Sequence, residues 1–401
     1  MIKKFLDLGM QPLANNYLKK KDPIKKKREL FYHLEVGFNS KTKLVSILNT
    51  VPSKKMFDNN YPYRSSMSKT MLLSFKKLSK RLSYLFKPTC ILEIGSNDGS
   101  LIKNFSKKKV ICVEPCKNVA KITQRLGYKT FTDFWNINLA RKIKKMNKKK
   151  IDLIYSANTL SHITNLNSVF NSICHVMSEK GILIIEDPSL LECLKNVAYD
   201  QFYNEHIYVF SLISINEAIK KHGLEVFDVE KLETHGGSLR YYIKRISNNK
   251  FKISSRVRKQ LQEEIKFKLH KYSTYIKFRK KVENSKKKLN KIFIDLKRVG
   301  KKIIGYGATA KASTVLNYCS IKDETIDYFL DTTPDKVNKF MPGTHIFIKP
   351  YDRKSLNSAD YAFLGAWNFK KEILKKEKKF LKRGGKFITH VAKPKIIKYY
   401  K

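Results

Sequence analysis

The stretch that decides the fold is Ile91-Leu92-Glu93-Ile94-Gly95-Ser96-Asn97-Asp98-Gly99-Ser100. An apolar run typical of a buried strand leads into two glycines, and the chain continues with the character of a helix. Glycine at positions 95 and 99 permits a tight turn and a close approach of the backbone to a ligand. The stretch therefore predicts a strand, a ligand-binding turn and a helix in succession.

Strand and helix patterns alternate on both sides of this turn. The predicted strands of the first unit are residues 90–94, 110–113, 151–155, 181–185, 224–229 and 238–243. A smaller unit of the same kind begins at residue 301, with strands predicted at 302–306, 326–330, 361–365 and 386–391. Alternating units of this length indicate an α/β fold with doubly wound, parallel sheets.

Four regions follow from this pattern. Residues 1–70 read as a small strand-rich N-terminal lobe, and residues 71–250, which open with an amphipathic helix over 71–88, as the first α/β domain. Residues 251–300 are a helical connector, for which we expect one long or two shorter helices that are largely solvated. Residues 301–401 form a C-terminal Rossmann-like domain.

The most conspicuous feature of the composition is its large positive charge. The 401 residues carry a formal net charge of +49, but only 13 of the 83 basic residues are Arg. The lysines are spread over every segment, and few aromatic residues lie among them, unlike in a nucleic-acid-binding surface. A proteome-wide lysine bias explains this more simply, so we expect no specific nucleic-acid partner. The charge still favours an anionic substrate.

Cysteine usage and hydropathy suggest the compartment. The six cysteines form no C-x-x-C pair and mostly lie in apolar segments, which favours a reducing environment and no metal site. No apolar run has the ~20 residues needed to cross a bilayer, and charge interrupts the N-terminus too early for a secretion signal. We therefore expect a cytoplasmic protein without membrane contact.

The first candidate site is a nucleoside pocket at the ends of the strands. Glu114 ends the strand after the glycine turn, 19 residues beyond Gly95, where an acid binds ribose hydroxyls. The predicted cofactor contacts are Glu93, Gly95, Asn97, Gly99, Glu114, Asp133, Phe134, Asn158 and His162. The turn lacks the three closely spaced glycines of a pyrophosphate loop, so we predict S-adenosylmethionine as the cofactor, in preference to NAD.

A second candidate site lies in two polar clusters. Tyr203, Glu205 and His206 offer a phenol, a partner that orients and charges a base, and the base itself. In the stretch 235–240, the side chains of His235, Ser238 and Arg240 are predicted to bind a phosphate or a carbonyl group of the substrate.

The motifs from both ends of the chain, taken in order, point to one family. They are Asp7-Leu8-Gly9-Met10-Gln11-Pro12-Leu13-Ala14-Asn15, Tyr61-Pro62-Tyr63-Arg64-Ser65-Ser66, Glu93-Ile94-Gly95-Ser96-Asn97-Asp98-Gly99, Tyr203-Asn204-Glu205-His206, His235-Gly236-Gly237-Ser238-Leu239-Arg240, Gly305-Tyr306-Gly307-Ala308-Thr309-Ala310-Lys311 and Pro342-Gly343-Thr344-His345-Ile346. Over nearly its whole length the chain resembles the three-domain sugar C-methyltransferases that act on nucleotide-linked 4-keto-deoxysugars. The resemblance implies a class I methyltransferase sheet in the first α/β domain.

The resemblance also implies a mechanism. His206 removes the proton beside the ketone, and the resulting enolate takes the methyl group; Tyr203, Glu205 and Tyr63 line that centre. A tyrosine hydroxyl is a plausible group to hold the enolate oxygen, but the sequence does not say which tyrosine.

Two departures from the family stand out. The N-terminal lobe usually holds zinc through two C-x-x-C pairs; here the chain starts after the first pair, and Asn39 and Thr42 stand in place of the second. Without thiolates the usual site cannot form, so the lobe must be held by packing or be less stable. In addition, residues 331–336 lack the Gln-Gly that often follows them in the family, at Val337 and Asn338.

The C-terminal unit has two readings. Gly305-x-Gly307-x-x-Ala310 followed by Asp331 loosely matches a dinucleotide fingerprint, so an NAD-binding dehydrogenase domain is one interpretation. The resemblance instead implies binding of the substrate's nucleotide half, with Gly307, Lys311 and Asp331 as contacts. We therefore expect C-methylation of a dTDP- or GDP-linked keto-deoxysugar; a nucleic-acid methyltransferase and a non-catalytic sugar-nucleotide-binding protein are the alternatives.

Overall fold

A computed structural model describes residues 1–19, 29–147 and 149–399. The strands are β1 Ile2–Pro12, β2 Leu18–Lys19, β3 Phe31–Asn39, β4 Val45–Ile47, β5 Ile91–Ile94, β6 Val110–Val113, β7 Lys129–Phe131, β8 Ile151–Ala157, β9 Met177–Pro188, β10 Tyr208–Val209, β11 Leu224–Leu232, β12 Ser238–Arg245, β13 Ile303–Tyr306, β14 Phe329–Asp331, β15 Lys339–Phe340, β16 Ile348–Pro350, β17 Tyr361–Leu364, β18 Lys386–Thr389 and β19 Lys395–Ile397. The α-helices are α1 Ser53–Met56, α2 Lys69–Phe86, α3 Lys117–Arg125, α4 Ile137–Met146, α5 Leu166–Val176, α6 Leu190–Lys195, α7 Leu212–Lys220, α8 Ser255–Lys266, α9 Tyr272–Arg298, α10 Ala310–Cys319, α11 Arg353–Asn357, α12 Lys370–Lys376 and α13 Lys378–Lys382.

The glycine turn lies at the end of β5, an inner strand of a seven-stranded sheet. The strand order is β11-β12-β9-β8-β5-β6-β7, and β12 alone runs antiparallel to its neighbours. All four residues of β5 are buried, because helices cover both faces of a parallel sheet. The predicted class I methyltransferase sheet is confirmed, with each predicted strand inside or overlapping an observed one.

The C-terminal unit has a six-stranded sheet in the order β16-β14-β13-β17-β18-β19, parallel except for the last strand. The Rossmann-like prediction is confirmed here. The two outer strands, β16 and β19, were not predicted. Each has only three residues, too few for a recognisable alternation of apolar and polar residues.

The N-terminal lobe is a four-stranded antiparallel sheet in the order β1-β3-β4-β10. Its fourth strand, β10, comes from far along the chain, immediately after the 203–206 cluster. A second short ladder joins β2 of the lobe to β15 of the C-terminal unit. The lobe therefore contacts both α/β units and pairs directly with the segment that carries the candidate base.

The connector consists of two helices, and its predicted solvated character is wrong. One face of α9 is buried, and its buried side chains are Tyr275, Phe278, Val282, Ser285, Leu289, Phe293 and Leu296. The ring of Tyr275 lies 4.9 Å from that of Phe5 and stacks on Phe38 at 4.5 Å, both in the N-terminal lobe. The connector thus supplies the apolar surface on which the cysteine-poor lobe packs.

The hairpin turn between β3 and β4 stands where the family carries its second pair of cysteines. The Asn39 side-chain oxygen accepts hydrogen bonds from the backbone N–H groups of Lys41 and Thr42, at 2.9 and 3.1 Å. An asparagine side chain that caps its own turn satisfies these N–H groups locally. The turn is therefore stabilised by the side-chain amide of Asn39.

Two further sequence expectations concern thiols and membranes. All six cysteines are free thiols, and five of them are buried. Among the helices that the structure describes, none is both long and apolar enough to cross a bilayer.

Candidate active site

One cavity of about 770 Å³ lies where the N-terminal lobe and the two α/β units meet. The sequence-predicted residues that line it are Tyr63, Glu93, Gly95, Asn97, Glu114, Phe134, Asn158, His162, Tyr203, His206, His235, Gly307, Lys311 and Asp331. Residues from distant parts of the sequence thus share one space. It is large enough for two ligands side by side or for one extended ligand.

The glycine turn forms one end of this cavity. Gly95 has a φ of +76°, which a side chain rarely tolerates, and a Cβ there would lie 2.0 Å from the hydroxyl oxygen of Thr159. The backbone N–H of Asn97 donates to Glu114 at 2.9 Å, and the N–H of Cys116 donates to the other oxygen of that carboxylate at 2.9 Å. Glu114 is therefore held rigidly, and each oxygen keeps a lone pair for a ribose hydroxyl.

Polar atoms around the turn fit a nucleoside. Among the described residues, Glu93 Oε2 and Ser96 Oγ are buried without a hydrogen-bond partner, so both are available to a polar ligand. Burial and the neighbouring carboxylates of Asp98 and Glu114 raise the pKa of Glu93 well above its ordinary value. Phe134 adds an aromatic wall to the cavity.

The segment 61–66 is fastened to this turn. The backbone N–H of Ser65 donates to the Asn97 side-chain oxygen at 2.9 Å, and the Ser65 hydroxyl donates to Asp98 at 2.8 Å. The Asn97 amide in turn donates to the backbone oxygen of Tyr63 at 3.2 Å. These contacts hold the Tyr63 side chain at the wall of the cavity, next to the cofactor turn.

Tyr203 and His206 form a hydrogen-bonded pair inside the cavity. His206 Nδ1 donates to the backbone oxygen of Gln201 at 2.8 Å, which leaves Nε2 to accept the Tyr203 hydroxyl at 2.8 Å. The His206 ring stacks on His162 at 5.2 Å, and His162 stacks on Phe57. Burial, aided by the charges of His162 and Lys311, lowers the pKa of His206 well below its ordinary value. The imidazole is thus neutral and ready to accept a proton.

Glu205 does not act as the partner of His206, contrary to the sequence prediction. Its carboxylate accepts hydrogen bonds from the Asn15 side chain at 2.7 Å and the Tyr61 hydroxyl at 2.8 Å. Burial raises the pKa of Glu205 to about 7. Glu205 therefore links Asn15 of the N-terminal lobe to Tyr61 of the 61–66 segment. The atom that orients His206 is the backbone oxygen of Gln201.

The C-terminal unit forms the opposite end of the cavity, and it repeats the carboxylate arrangement. Asp331 accepts the backbone N–H of Ala308 at 2.8 Å and that of Thr333 at 2.7 Å. The Lys336 ammonium lies 3.9 Å from the same carboxylate. Each α/β unit thus has a carboxylate held at the end of a strand, Glu114 in the first and Asp331 in the second, and both line the same cavity.

Five predicted residues lie outside the cavity lining, Glu205 among them. Asp133 is exposed and accepts the N–H of Phe134, and Gly99 packs near Thr123 behind the turn. Ser238 donates to the backbone oxygen of Thr234. Arg240 is buried between Glu186 and Glu230, at 2.8 and 2.7 Å. Arg240 and Ser238 are therefore structural, because β12 turns both side chains into the protein.

Several residues in or next to the cavity were not predicted. Gln201, which orients the base, precedes the 203–206 cluster by two positions and has no distinctive sequence signal. Phe57 and Trp135 lie beside predicted motifs, and their aromatic character next to turn residues could have drawn attention to them. Tyr351 and Phe369 follow β16 and β17, at the strand ends where ligands of such sheets bind.

Known protein families and a known enzyme match this chain over most of its length. Three family models match consecutive parts of the chain: a zinc binding domain at residues 1–57, a methyltransferase domain at 63–229 and a C-methyltransferase C-terminal domain at 233–392. The C-methyltransferase NovU of Streptomyces niveus is 28% identical over 398 residues, which cover 98% of this chain and 93% of NovU. The protein is an enzyme, an S-adenosylmethionine-dependent C-methyltransferase, and the cofactor prediction is confirmed.

Two solved structures with similarity to this C-methyltransferase each match less than half of it. Magnesium protoporphyrin IX methyltransferase from Synechocystis PCC 6803, with bound S-adenosylmethionine, is 12% identical over 43% of this chain and 79% of its own, with a TM-score of 0.32. An S-adenosylmethionine-dependent methyltransferase from Clostridium acetobutylicum is 14% identical over 43% of this chain and 92% of its own, with a TM-score of 0.33.

The matched zinc-binding region of this C-methyltransferase contains no cysteine, since the first cysteine of the chain is Cys90. In the described part of that region, Asp7, His33 and Glu35 bring possible ligand atoms within 4.8 Å of one another. The Lys4 ammonium lies 2.6 Å from Glu35 and 3.7 Å from Asp7, so a cation already occupies the place between these carboxylates. This cluster is accounted for by ion pairing.

Proposed function

We propose that this C-methyltransferase methylates the carbon beside the ketone of a nucleotide-activated 4-keto-deoxysugar. The observation that carries the proposal is that one cavity is lined by Glu114, by the Tyr203–His206 pair and by Asp331. A methyl donor at the first end and a nucleotide at the second would leave the sugar beside the base. Sequence similarity to the C-methyltransferase NovU over nearly the whole length supports methyl transfer to carbon.

The residues around the cofactor end have separate tasks. Glu114 and Glu93 would hold the ribose and polar groups of S-adenosylmethionine, and Phe134 would pack against its adenine. The bound cofactor supplies an electrophilic methyl group. The protein must then generate a nucleophilic carbon within reach of it.

The Tyr203–His206 pair supplies the base. The Tyr203 oxygen accepts the proton from the sugar carbon while its own proton passes to His206 Nε2, along the hydrogen bond of 2.8 Å. The fixed bond from Nδ1 to Gln201 keeps the acceptor nitrogen facing Tyr203. Because His206 titrates far below its ordinary range, it is unprotonated at neutral pH, but it is also a weak base.

The test is a transfer assay with S-adenosylmethionine carrying a labelled methyl group and with dTDP- and GDP-linked 4-keto-6-deoxysugars. We expect label on carbon in at least one sugar, and transfer with none of them would refute the proposal. His206→Ala and Tyr203→Phe should each reduce the rate by about 10²–10⁴-fold, the usual contribution of a general base. His175→Ala, on the outer helix α5, is the matched control and should keep the wild-type rate.

The same assay separates the nucleic-acid alternative. A nucleic-acid methyltransferase would transfer label to RNA or DNA and would bind it with a steep dependence on salt. A chain that labels only the sugar nucleotide, and whose RNA binding vanishes at moderate salt, supports the sugar substrate.

A further inference from the structure

Lys311 belongs to the C-terminal unit, but its ammonium group lies against the methyltransferase domain. It is the second residue of α10, and its Nζ donates at 3.2 Å to the backbone oxygen of His235, in the loop between β11 and β12. The residue is only 7% exposed and lines the cavity. The C-terminal unit thus places a buried cation at the junction of the two domains.

This cation is weakly satisfied. Lys311 Nζ forms no ion pair within 4 Å among the described residues; the carboxylate of Asp200 acts on it from further away, and the centroid of the Trp367 ring lies 5.4 Å from it. Lys336, another of the lysines that line the cavity, has closer partners, since it donates to the Ala308 oxygen at 2.9 Å and lies 3.9 Å from Asp331. Lys311 therefore keeps two N–H groups for a ligand, and an anionic ligand atom would relieve its burial.

A short hydrogen-bond chain connects Lys311 to the base. The His235 oxygen that accepts from Lys311 also accepts from the Gln201 side-chain amide, at 2.7 Å. The Gln201 backbone oxygen accepts from His206 Nδ1 at 2.8 Å. In keeping with this proximity, the charge of Lys311 contributes to the lowered pKa of both His206 and His235. The ammonium thus lies on the side of the cavity where the proton is removed.

The chemistry of the proposed reaction requires such a cation. When the C–H bond beside the ketone breaks, its proton goes to the Tyr203–His206 pair and its electron pair moves onto the carbonyl oxygen. When that carbon takes the methyl group, the carbonyl re-forms, and the electrons of the broken S–CH₃ bond remain on sulfur. A weak base such as His206 can drive the first step only if the negative charge on the enolate oxygen is strongly stabilised.

We propose that Lys311 is the catalytic residue that stabilises the enolate oxygen, and that the C-terminal unit therefore completes the active site. The inference rests on the proposed keto-sugar substrate. It replaces the sequence prediction that Lys311 contacts the nucleotide half of the substrate, and it assigns the enolate-binding role to an ammonium group instead of a tyrosine hydroxyl.

The experiment compares Lys311→Met and Lys311→Arg with the wild type. The first readout is exchange of the proton beside the ketone with deuterium oxide in the absence of the methyl donor, followed by mass spectrometry. The second is methyl transfer, and the third is calorimetric binding of dTDP and GDP alone. Lys291→Met, a highly exposed position on α9, controls for the loss of one positive charge.

We expect Lys311→Met to reduce exchange and transfer by about 10²–10³-fold, as removal of an oxyanion-stabilising donor does, and to leave the affinity for the diphosphate within twofold. Lys311→Arg should retain part of both activities. Unchanged exchange in Lys311→Met would overturn the inference. So would a large loss of diphosphate affinity with normal exchange at saturating sugar, which is the result expected of a phosphate ligand.

A pH profile keeps the test valid if Lys311→Met folds poorly. Burial lowers the pKa of Lys311 to about 8, and the negative charge of Asp200 opposes this. The ionisable groups that interact with it are Asp200, Cys193, His206 and His235. Wild-type exchange should therefore fall as the pH rises through about 8, and Lys311→Arg should lack this limb. The same fall in exchange above about pH 8 in both proteins would contradict the inference. A wild type that neither exchanges nor methylates any sugar would refute the proposed function, and the inference with it.

Discussion

Packing of the N-terminal lobe on the connector gives a quantitative prediction. Phe5 is 1% exposed, and its ring lies 4.9 Å from Tyr275 and 6.4 Å from each of Phe202 and Phe278. Replacing a buried phenylalanine by alanine costs about 3–5 kcal/mol. Because the three partner rings all lie outside the lobe, most of this loss falls on its docking. A loss of about 4 kcal/mol weakens docking about 10³-fold.

The assay is urea unfolding of Phe5→Ala, combined with limited proteolysis of residues 1–57 and with metal analysis. We expect a lower unfolding midpoint and faster cleavage of the lobe, with no response to a chelator. Met10→Ala, which changes a side chain on the same strand that is 57% exposed, should stay within about 0.5 kcal/mol of the wild type. A chelator that lowers the midpoint as much as the substitution does, or a Phe5→Ala variant as stable as the wild type, would refute packing as the cause.

Further predictions concern the cofactor turn and the buried acid behind the base. Gly95→Ala should abolish S-adenosylmethionine binding in a calorimetric titration, because its Cβ would lie 2.0 Å from a threonine hydroxyl oxygen and its φ is +76°. Gly223→Ala is the control, since Gly223 has a φ of +66° and a Cβ there would meet nothing within 4 Å. This control isolates the backbone strain of about 1–2 kcal/mol and should bind the cofactor normally. The pKa of Glu205 is raised to about 7, so its stabilising contribution is complete below its ordinary value and is lost as the pH rises through 7. The wild type should thus lose up to about 3 kcal/mol relative to Glu205→Gln between pH 4.5 and pH 8 in urea titrations; parallel pH curves would contradict this.

The two α/β units could be predicted because their strands are buried on both faces and read as apolar runs. The run at 91–94 has no solvent-facing position, so its pattern does not depend on what packs against it. Short strands such as β10 and β16 have no pattern of their own. They exist because a partner strand lies beside them: Tyr208 pairs with Ser46, and Ile348 pairs with Phe329. Pairing partners distant in sequence are the information that a local pattern lacks.

The candidate site was predicted best where the backbone itself forms it. Gly95 and Glu114 belong to a turn and a strand end whose geometry follows from local sequence. Arg240 was predicted wrongly because a basic side chain after glycines looks like a phosphate ligand. Its direction depends on the alternation along β12, which turns it toward the buried Glu186. That carboxylate lies 54 positions earlier in the chain, so only the folded sheet reveals the pair.

The segment from residue 199 to residue 209 connects the docking of the lobe to the proposed base. At one end of this segment, Asp200 accepts from the Trp367 indole N–H and pairs with His390, both in the C-terminal unit. At the other end, β10 completes the sheet of the lobe. The Tyr203–His206 pair lies between these two attachments. Loosening either attachment would displace the proposed base relative to the cofactor turn, and a shift of about 1 Å can reduce a rate by about 10²-fold. We therefore expect the aromatic packing of the lobe on α9 to support catalysis by fixing one end of the segment that carries the proposed base.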